Sequence, residues 1–376
     1  MKRPLAPTSR RDFLKTSSGA LAWLGATGVL HLGGATDTRG NGPAQAGRLF
    51  TLADMPRIDV HAHILSDWKV MDEFMALRQA LKGQLGVEMA MWISLGSRKN
   101  PDPPDMDELR ARYDGRIQFC IFDYEIKDGL RFSPQDLLKW QARGVMGFKF
   151  YPGWEPGVQI DHPANDPVFA AMDQIGMVAA SPHVANPCGT HGRRTEWFAE
   201  PVEFWRQQRA WENVVRKYPR LIIVNAHMLW LCCSDEQLDC LRYMLKSYPN
   251  LNIDLATTPV FLHPVGRDNL REFMLEYSDR ILFGTDVGSS WFVPELDKRF
   301  PRASEKVQQY RRYFDFLETD QELPSGIKDE CKIRGLALPQ EVLEKIYFRN
   351  AMRLYPHVGE ILKRLGYFGD QKAPES

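Results

Sequence analysis

Between residues 57 and 284 the chain alternates short β-branched or apolar runs with longer amphipathic stretches. That alternation is the signature of β–α units building a parallel sheet, because parallel neighbours need a long crossover, usually a helix. Eight runs read as strands: Arg57 to His61, Val87 to Ser94, Ile117 to Phe122, Gly147 to Tyr151, Met177 to Ser181, Leu221 to Asn225, Leu251 to Leu255 and Ile281 to Gly284. Between them, Met71 to Leu81, Pro134 to Ala142, Pro167 to Gln174, Glu203 to Lys217 and Glu236 to Ser247 carry apolar residues at three- and four-residue spacing, which predicts helices. An open doubly wound sheet would use the same alternation, but no Gly-rich phosphate loop follows any of the runs. Eight strands with intervening helices therefore predict an α/β fold, a single-domain (β/α)₈ TIM barrel.

The ends of the chain are bounded separately. Residues 1–46 read as a signal peptide and linker: Ser9-Arg10-Arg11-Asp12-Phe13-Leu14-Lys15 precedes a mild, glycine-interrupted apolar run from Ala20 to Leu32, and Ala44-Gln45-Ala46 supplies a small-x-small cleavage pattern. The pattern resembles a twin-arginine export signal, which implies folding before translocation and a periplasmic or extracellular destination, with no stable membrane insertion once the signal is removed. The barrel is predicted over residues 47–366. Within it, residues 291–338 form an elaboration after strand eight with a helix from Glu305 to Leu317, and a closing helix runs from Pro339 to Leu354. Residues 367–376 read as a loose polar tail. A formal net charge of zero offers no basic face for nucleic acid, so a small molecule is the expected partner; a homo-oligomer stays open. The six cysteines lack the spacing of a disulfide framework or a zinc knuckle and are predicted to be mostly free, buried thiols.

In such a barrel the strand C-termini converge on one mouth, where active sites lie. Strand one ends in His61-Ala62-His63, and the two-residue period of a strand puts both imidazoles on one side. Strand four carries Lys149, strand five leads through Pro182 to His183, strand six ends in Asn225-Ala226-His227, and strand eight in Thr285-Asp286. Any one of these histidines alone would read as hydrogen-bonded structure. Together, imidazoles and a carboxylate arriving from separate strands match a divalent metal site with an open position.

Ile58-Asp59-Val60-His61-Ala62-His63, Ser181-Pro182-His183, Val224-Asn225-Ala226-His227 and Leu282-Phe283-Gly284-Thr285-Asp286 resemble the amidohydrolase superfamily, particularly its amidohydrolase-related branch. Tyr218-Pro219-Arg220-Leu221, Tyr248-Pro249-Asn250-Leu251 and Tyr347-Phe348-Arg349-Asn350-Ala351 extend the likeness over nearly the whole mature chain. The resemblance implies one divalent ion, usually zinc, on His61, His63, His183 and Asp286, with Asp286 and His227 as the catalytic residues. Asp286 would take and return a proton, and His227 would orient or deprotonate water or substrate. Asn225 and Thr285 are candidates for supporting hydrogen bonds. In binuclear relatives a carboxylated strand-four lysine bridges two ions. Phe148-Lys149-Phe150-Tyr151-Pro152 is locally similar to that stretch, so Lys149 is a candidate for bridging, or for holding a substrate carboxylate if it stays an ammonium.

Specificity in barrels is loop-borne, which makes His191, Arg193 and Arg194 after strand five, and Trp154 after strand four, candidates for substrate contact. His162 reads as a loop residue; His263, Trp197, Trp230 and Trp291 fall after strand ends, where they could wall a pocket. The leading functional reading is a metal-dependent hydrolase that uses a metal-activated water to cleave an amide, ester or lactone bond. The alternatives are non-oxidative decarboxylation of an aromatic or unsaturated carboxylic acid, with Arg193 or Arg194 aimed at the carboxylate, and a non-catalytic metal- or ligand-binding barrel.

Overall fold

A computed structural model describes residues 50–98, 100–123, 129–152, 159–188, 200–288, 303–325 and 331–368. All eight runs form strands: Pro56–Ala62, Glu88–Ser94, a third in two pieces (Ile117–Phe119 and Ile121–Asp123), Phe148–Phe150, Ala179–Ala180, Ile223–Asn225, Leu251–Asp254 and Ile281–Leu282. Each pairs in parallel with the next. The third strand changes partner at its break, where Cys120 N donates to Ser94 O on the second strand (2.8 Å) and Ile121 N to Gly147 O beside the fourth (3.0 Å).

Closure comes from the ends of the series. Val60 N donates to Phe283 O (3.0 Å), Asp286 N to His61 O (2.7 Å) and His63 N to Val287 O (2.8 Å), so the eighth strand pairs with the first. A parallel bridge between Ala62 and Val287 continues this seam past both strand ends. The sheet is therefore a closed (β/α)₈ barrel, and closure leaves no open edge.

A helix follows each strand. The described ones are Trp68–Leu85, Met106–Tyr113, Pro134–Ala142, Asp166–Ile175, Pro201–Lys217, Asp235–Ser247, Arg267–Glu276 and Ala303–Glu318. Local chemistry sets their ends. Asp67 accepts from Val70 N at the start of the first helix, and Gly86 ends it in a left-handed turn (φ 69°) that a residue with a Cβ would resist. Ser133 and Asp136 form a reciprocal capping box at the start of the third. The predicted helix over Glu305 to Leu317 is the eighth of the ring: Ala303–Glu318 packs against the first helix and completes the outer layer. A short antiparallel hairpin, Glu322–Pro324 with Lys332–Arg334, follows it.

The closing segment is helical but not uniform, with Gln340–Glu344 and Asn350–Leu354 flanking a π turn at Lys345–Arg349. That turn lies against the first and eighth strands, and Ile346 O accepts from Phe283 N (2.9 Å). Nearby, Arg57 is fully buried, paired with Glu318 (2.9 Å) and held 4.8 Å from the ring centres of both Phe314 and Tyr347. These contacts fix one end of the barrel and leave polar chemistry to the other. All six cysteines are free as predicted: Cys120, Cys188, Cys232 and Cys233 are buried, and Cys240 and Cys331 half-buried. Among the described residues no helix is long and apolar enough to cross a membrane. The predicted signal over 1–46 lies outside the described residues.

Candidate functional site

Strand period two sends Arg57, Asp59 and His61 to one side of the first strand and Ile58, Val60 and Ala62 to the other, and all six are buried. His63 follows just beyond the strand on the His61 side. Each ring is oriented through Nδ1. His63 Nδ1 donates to Gly96 O at the end of the second strand (2.7 Å), and His61 Nδ1 donates to Asp254 Oδ2 on the seventh (2.9 Å). A carbonyl can only accept, and Asp254 is held ionised, so both rings carry a proton on Nδ1 and turn Nε2 towards the site.

Those two Nε2 atoms converge on Asp286. His63 Nε2 lies 3.2 Å and His61 Nε2 3.7 Å from Asp286 Oδ1. Asp286 adopts a left-handed backbone (φ 64°), and its other oxygen, Oδ2, accepts from Thr257 Oγ1 (2.9 Å). Thr257 is itself left-handed (φ 60°), and Tyr313 OH accepts from Thr257 N (2.6 Å) and donates to Thr285 O (3.1 Å). A tyrosine of the eighth helix thus holds both loops that set the Asp286 carboxylate.

His227 sits on a turn with an unusual backbone. His227, Met228, Leu229 and Trp230 have φ of 56°, 52°, 59° and 55°, four consecutive left-handed residues without a glycine. Such a conformation costs about 1–2 kcal/mol per residue, so neighbouring interactions must hold it. Asp254 Oδ1 accepts from His227 N (3.0 Å), Leu229 O from Gln208 Nε2 (2.6 Å) and Pro182 O from Ala226 N (3.2 Å). The result turns His227 inward with Nδ1 donating to Ala256 O (2.8 Å), again leaving an Nε2 lone pair. Trp230 stacks on His227 with ring centres 4.4 Å apart, and its indole Nε1 donates to His183 Nε2 (3.0 Å).

The four imidazoles form a chain. Ring centres are 5.5 Å apart for His63 and His61, 4.9 Å for His61 and His227, and 5.0 Å for His227 and His183. Among the described residues, two donor sets come close enough to share an ion: His61, His63 and Asp286, and His61, His227 and Asp254. The first fits a divalent ion. Two ligands at about 2.0–2.2 Å on a tetrahedral ion lie about 3.3–3.5 Å apart, close to the two separations found at Asp286 Oδ1. Its histidines also have the outer hydrogen bonds, one to a carboxylate and one to a carbonyl, that metal-bound imidazoles use. In the second set the His61–Asp254 contact is taken up by that orienting hydrogen bond.

Burial and mutual charge tune the groups. Burial pushes His61 and His183 down, and His227 down to about 3, which favours the neutral form that can coordinate. Burial alone would raise Asp286 and Asp254. The hydrogen bond and charges from His63, His61 and His227 outweigh it for Asp286, holding that carboxyl well below the usual range, and His61 chiefly brings Asp254 down to about 2. Lys149 is fully buried, and burial lowers it to about 8 against the opposing pull of Asp254 and Asp286. Its ammonium donates to Ser181 O and lies 5.2 Å from the Tyr151 ring centre.

His61, His63, His227, Asp286 and Lys149 thus share one region of the barrel. His183 adjoins it, stacked on Tyr151 at 4.2 Å between ring centres, with its Nε2 engaged by Trp230. Thr285 points its hydroxyl at Asp59 (2.5 Å), and Asn225 Nδ2 donates to Pro182 O (3.1 Å). His162 caps a short 3₁₀ turn, its Nδ1 accepting from Ala164 N (3.2 Å). Trp154, His191, Arg193, Arg194, Trp197 and Trp291 lie outside the described residues. Two carboxylates, Asp254 and Asp59, were missing from the predicted site; each occupies a buried strand position, a signal the sequence does carry.

A family model described as amidohydrolase matches residues 58–357. No curated protein matches the chain. Solved structures that resemble it include an uncharacterised TIM-barrel protein from Bordetella bronchiseptica (14% identity, 80% of this chain and 98% of that one, TM-score 0.46). Others are a probable 2-pyrone-4,6-dicarboxylic acid hydrolase from Acinetobacter baumannii (10%, 79% and 98%, 0.47) and a 4-oxalomesaconate hydratase from Rhodopseudomonas palustris (12%, 82% and 98%, 0.45).

Proposed function

The chain belongs to the amidohydrolase family, and from that premise we propose that it is an exported enzyme that hydrolyses an amide, ester or lactone bond of a small molecule. In this reading one divalent ion, zinc, is held by His61, His63, His183 and Asp286. The observation that carries it is the approach of two imidazole Nε2 atoms to one carboxylate oxygen, 3.2 and 3.7 Å away, with both Nδ1 groups committed elsewhere. When bound, such an ion lowers the pKa of a water towards about 7 and polarises a carbonyl.

The protein groups then divide the work. His227 offers an Nε2 lone pair, because its Nδ1 donates to Ala256 O, so it accepts a proton or hydrogen bond from water and does not donate to a carbonyl oxygen. Asp286, held well ionised, would serve both as a ligand and as a proton acceptor. Asp254 orients His61 through its side chain and His227 through its backbone, so one carboxylate sets two members of the site. In the one-ion reading Lys149 stays an amine, donating to Ser181 O.

The test is product analysis of the metal-loaded protein against lactones, esters, amides and aromatic carboxylic acids in ¹⁸O-labelled water. Label in a new carboxylate that disappears in His227→Ala would support the proposal. Release of carbon dioxide without hydrolysis would replace it with decarboxylation.

A further inference from the structure

An imidazole nitrogen has one lone pair, and an indole N–H can only donate. In the absence of metal, therefore, the 3.0 Å contact from Trp230 Nε1 occupies the His183 Nε2 lone pair. An ion cannot use that nitrogen until the hydrogen bond breaks. We propose that Trp230 is a positioning residue that gates the fourth ligand: its indole and the metal ion compete for His183 Nε2. This rests on the reading above that His183 joins the ion.

Three features of the site support competition. Trp230 belongs to the left-handed turn that also carries His227, and it stacks on His227 at 4.4 Å, so its indole is held over that ring and edge-on to His183. Phe261 meets its ring edge-on, with centres 5.0 Å apart, and Trp230 is 3% exposed. His183 is equally enclosed, stacked on Tyr151, so water has little access to satisfy Nε2 if the indole leaves. Among the described residues, His61 and His63 have no comparable donor at Nε2; theirs face Asp286. The first three ligands thus already face one another, whereas the fourth is capped by a group outside the donor set. Loading becomes a two-stage event: capture by His61, His63 and Asp286, then transfer of the His183 lone pair from the indole to the ion.

Competition makes an unusual prediction, that removing a tryptophan beside the site tightens metal binding. Trp230→Phe keeps an aromatic ring for His227 but deletes the donor and leaves a buried acceptor unsatisfied in the metal-free state alone. Net loss of one such hydrogen bond corresponds to about a fivefold gain in zinc affinity or more.

The experiment is a zinc titration by competition with a chelating dye on wild type, Trp230→Phe and His183→Ala, read alongside the indole ¹H–¹⁵N resonance of Trp230 in wild type, assigned by its loss in the variant. The expected result is tighter binding in Trp230→Phe and a wild-type indole resonance that moves upfield on zinc addition as its hydrogen bond breaks. Equal or weaker binding in Trp230→Phe, or an indole resonance unmoved by saturating zinc, would overturn the gate; the resonance needs only the wild-type fold. Wild-type affinity in His183→Ala would instead overturn the ligand assignment on which the gate rests.

Discussion

Asp59 and Thr285 are joined twice across the seam that closes the barrel: Thr285 N donates to Asp59 Oδ1 (3.1 Å) and Thr285 Oγ1 to Asp59 Oδ2 (2.5 Å). The same carboxylate takes His61 N on Oδ1 (3.1 Å) and Tyr310 OH on Oδ2 (2.6 Å). The first and eighth strands and the eighth helix therefore meet on one fully buried side chain. Asp59→Ala is predicted to cost about 3 kcal/mol or more, since it strands several buried donors at once. Urea unfolding would measure it, and a cost below about 1 kcal/mol would refute this role for the carboxylate.

Asp254 lies one hydrogen bond behind His61. Asp254→Asn is predicted to weaken zinc binding about 10–100-fold while the chain stays folded, because His61 loses the carboxylate that fixes its tautomer and orientation. Chelator competition checks this, with circular dichroism as the folding control. Unchanged affinity would mean that Asp254 serves only the seventh strand.

Tyr313→Phe should separate the two loops that set Asp286. It removes the hydroxyl between Thr257 N and Thr285 O, and with it the restraint on two left-handed residues, Thr257 and Asp286. The expected loss is about 1–2 kcal/mol of stability together with a severalfold drop in zinc affinity. A stability loss with full metal affinity would confine Tyr313 to packing.

Gly284 lies between the two orienting elements. A Cβ there would fall 2.9 Å from the Cβ of His61 and 3.3 Å from that of Asp254. Gly284→Ala is predicted to force the His61–Asp254 pair apart, costing about 1–3 kcal/mol. Thermal unfolding with and without zinc should show a smaller stabilisation by the metal than in wild type; an equal one would contradict the prediction.

Much of this was legible in the sequence, and the exceptions have physical causes. The strand runs and the His61-x-His63 pair declare themselves through period-two patterning, and strand order alone brings His227 and Asp286 to the same region. Asp59 and Asp254 were harder to see because a buried strand is read by its apolar residues; a carboxylate inside one is the more informative sign, since it must be fully hydrogen-bonded to be there. The left-handed turn at His227 to Trp230 had no signal at all. Ala226-His227-Met228-Leu229-Trp230 contains no glycine or asparagine, and contacts from Asp254 and Gln208 impose its backbone from elsewhere in the chain. For the same reason Trp230 read only as a pocket wall, and its hydrogen bond to His183 emerged from tertiary structure.

The most direct test of the account is metal content per chain, measured by elemental analysis on protein purified without chelator, for wild type, Asp286→Ala and Lys149→Met. The account predicts one divalent ion in wild type and in Lys149→Met and none in Asp286→Ala. No ion in wild type would contradict the metal centre itself, and two ions that fall when Lys149 is lost would contradict the single-ion site.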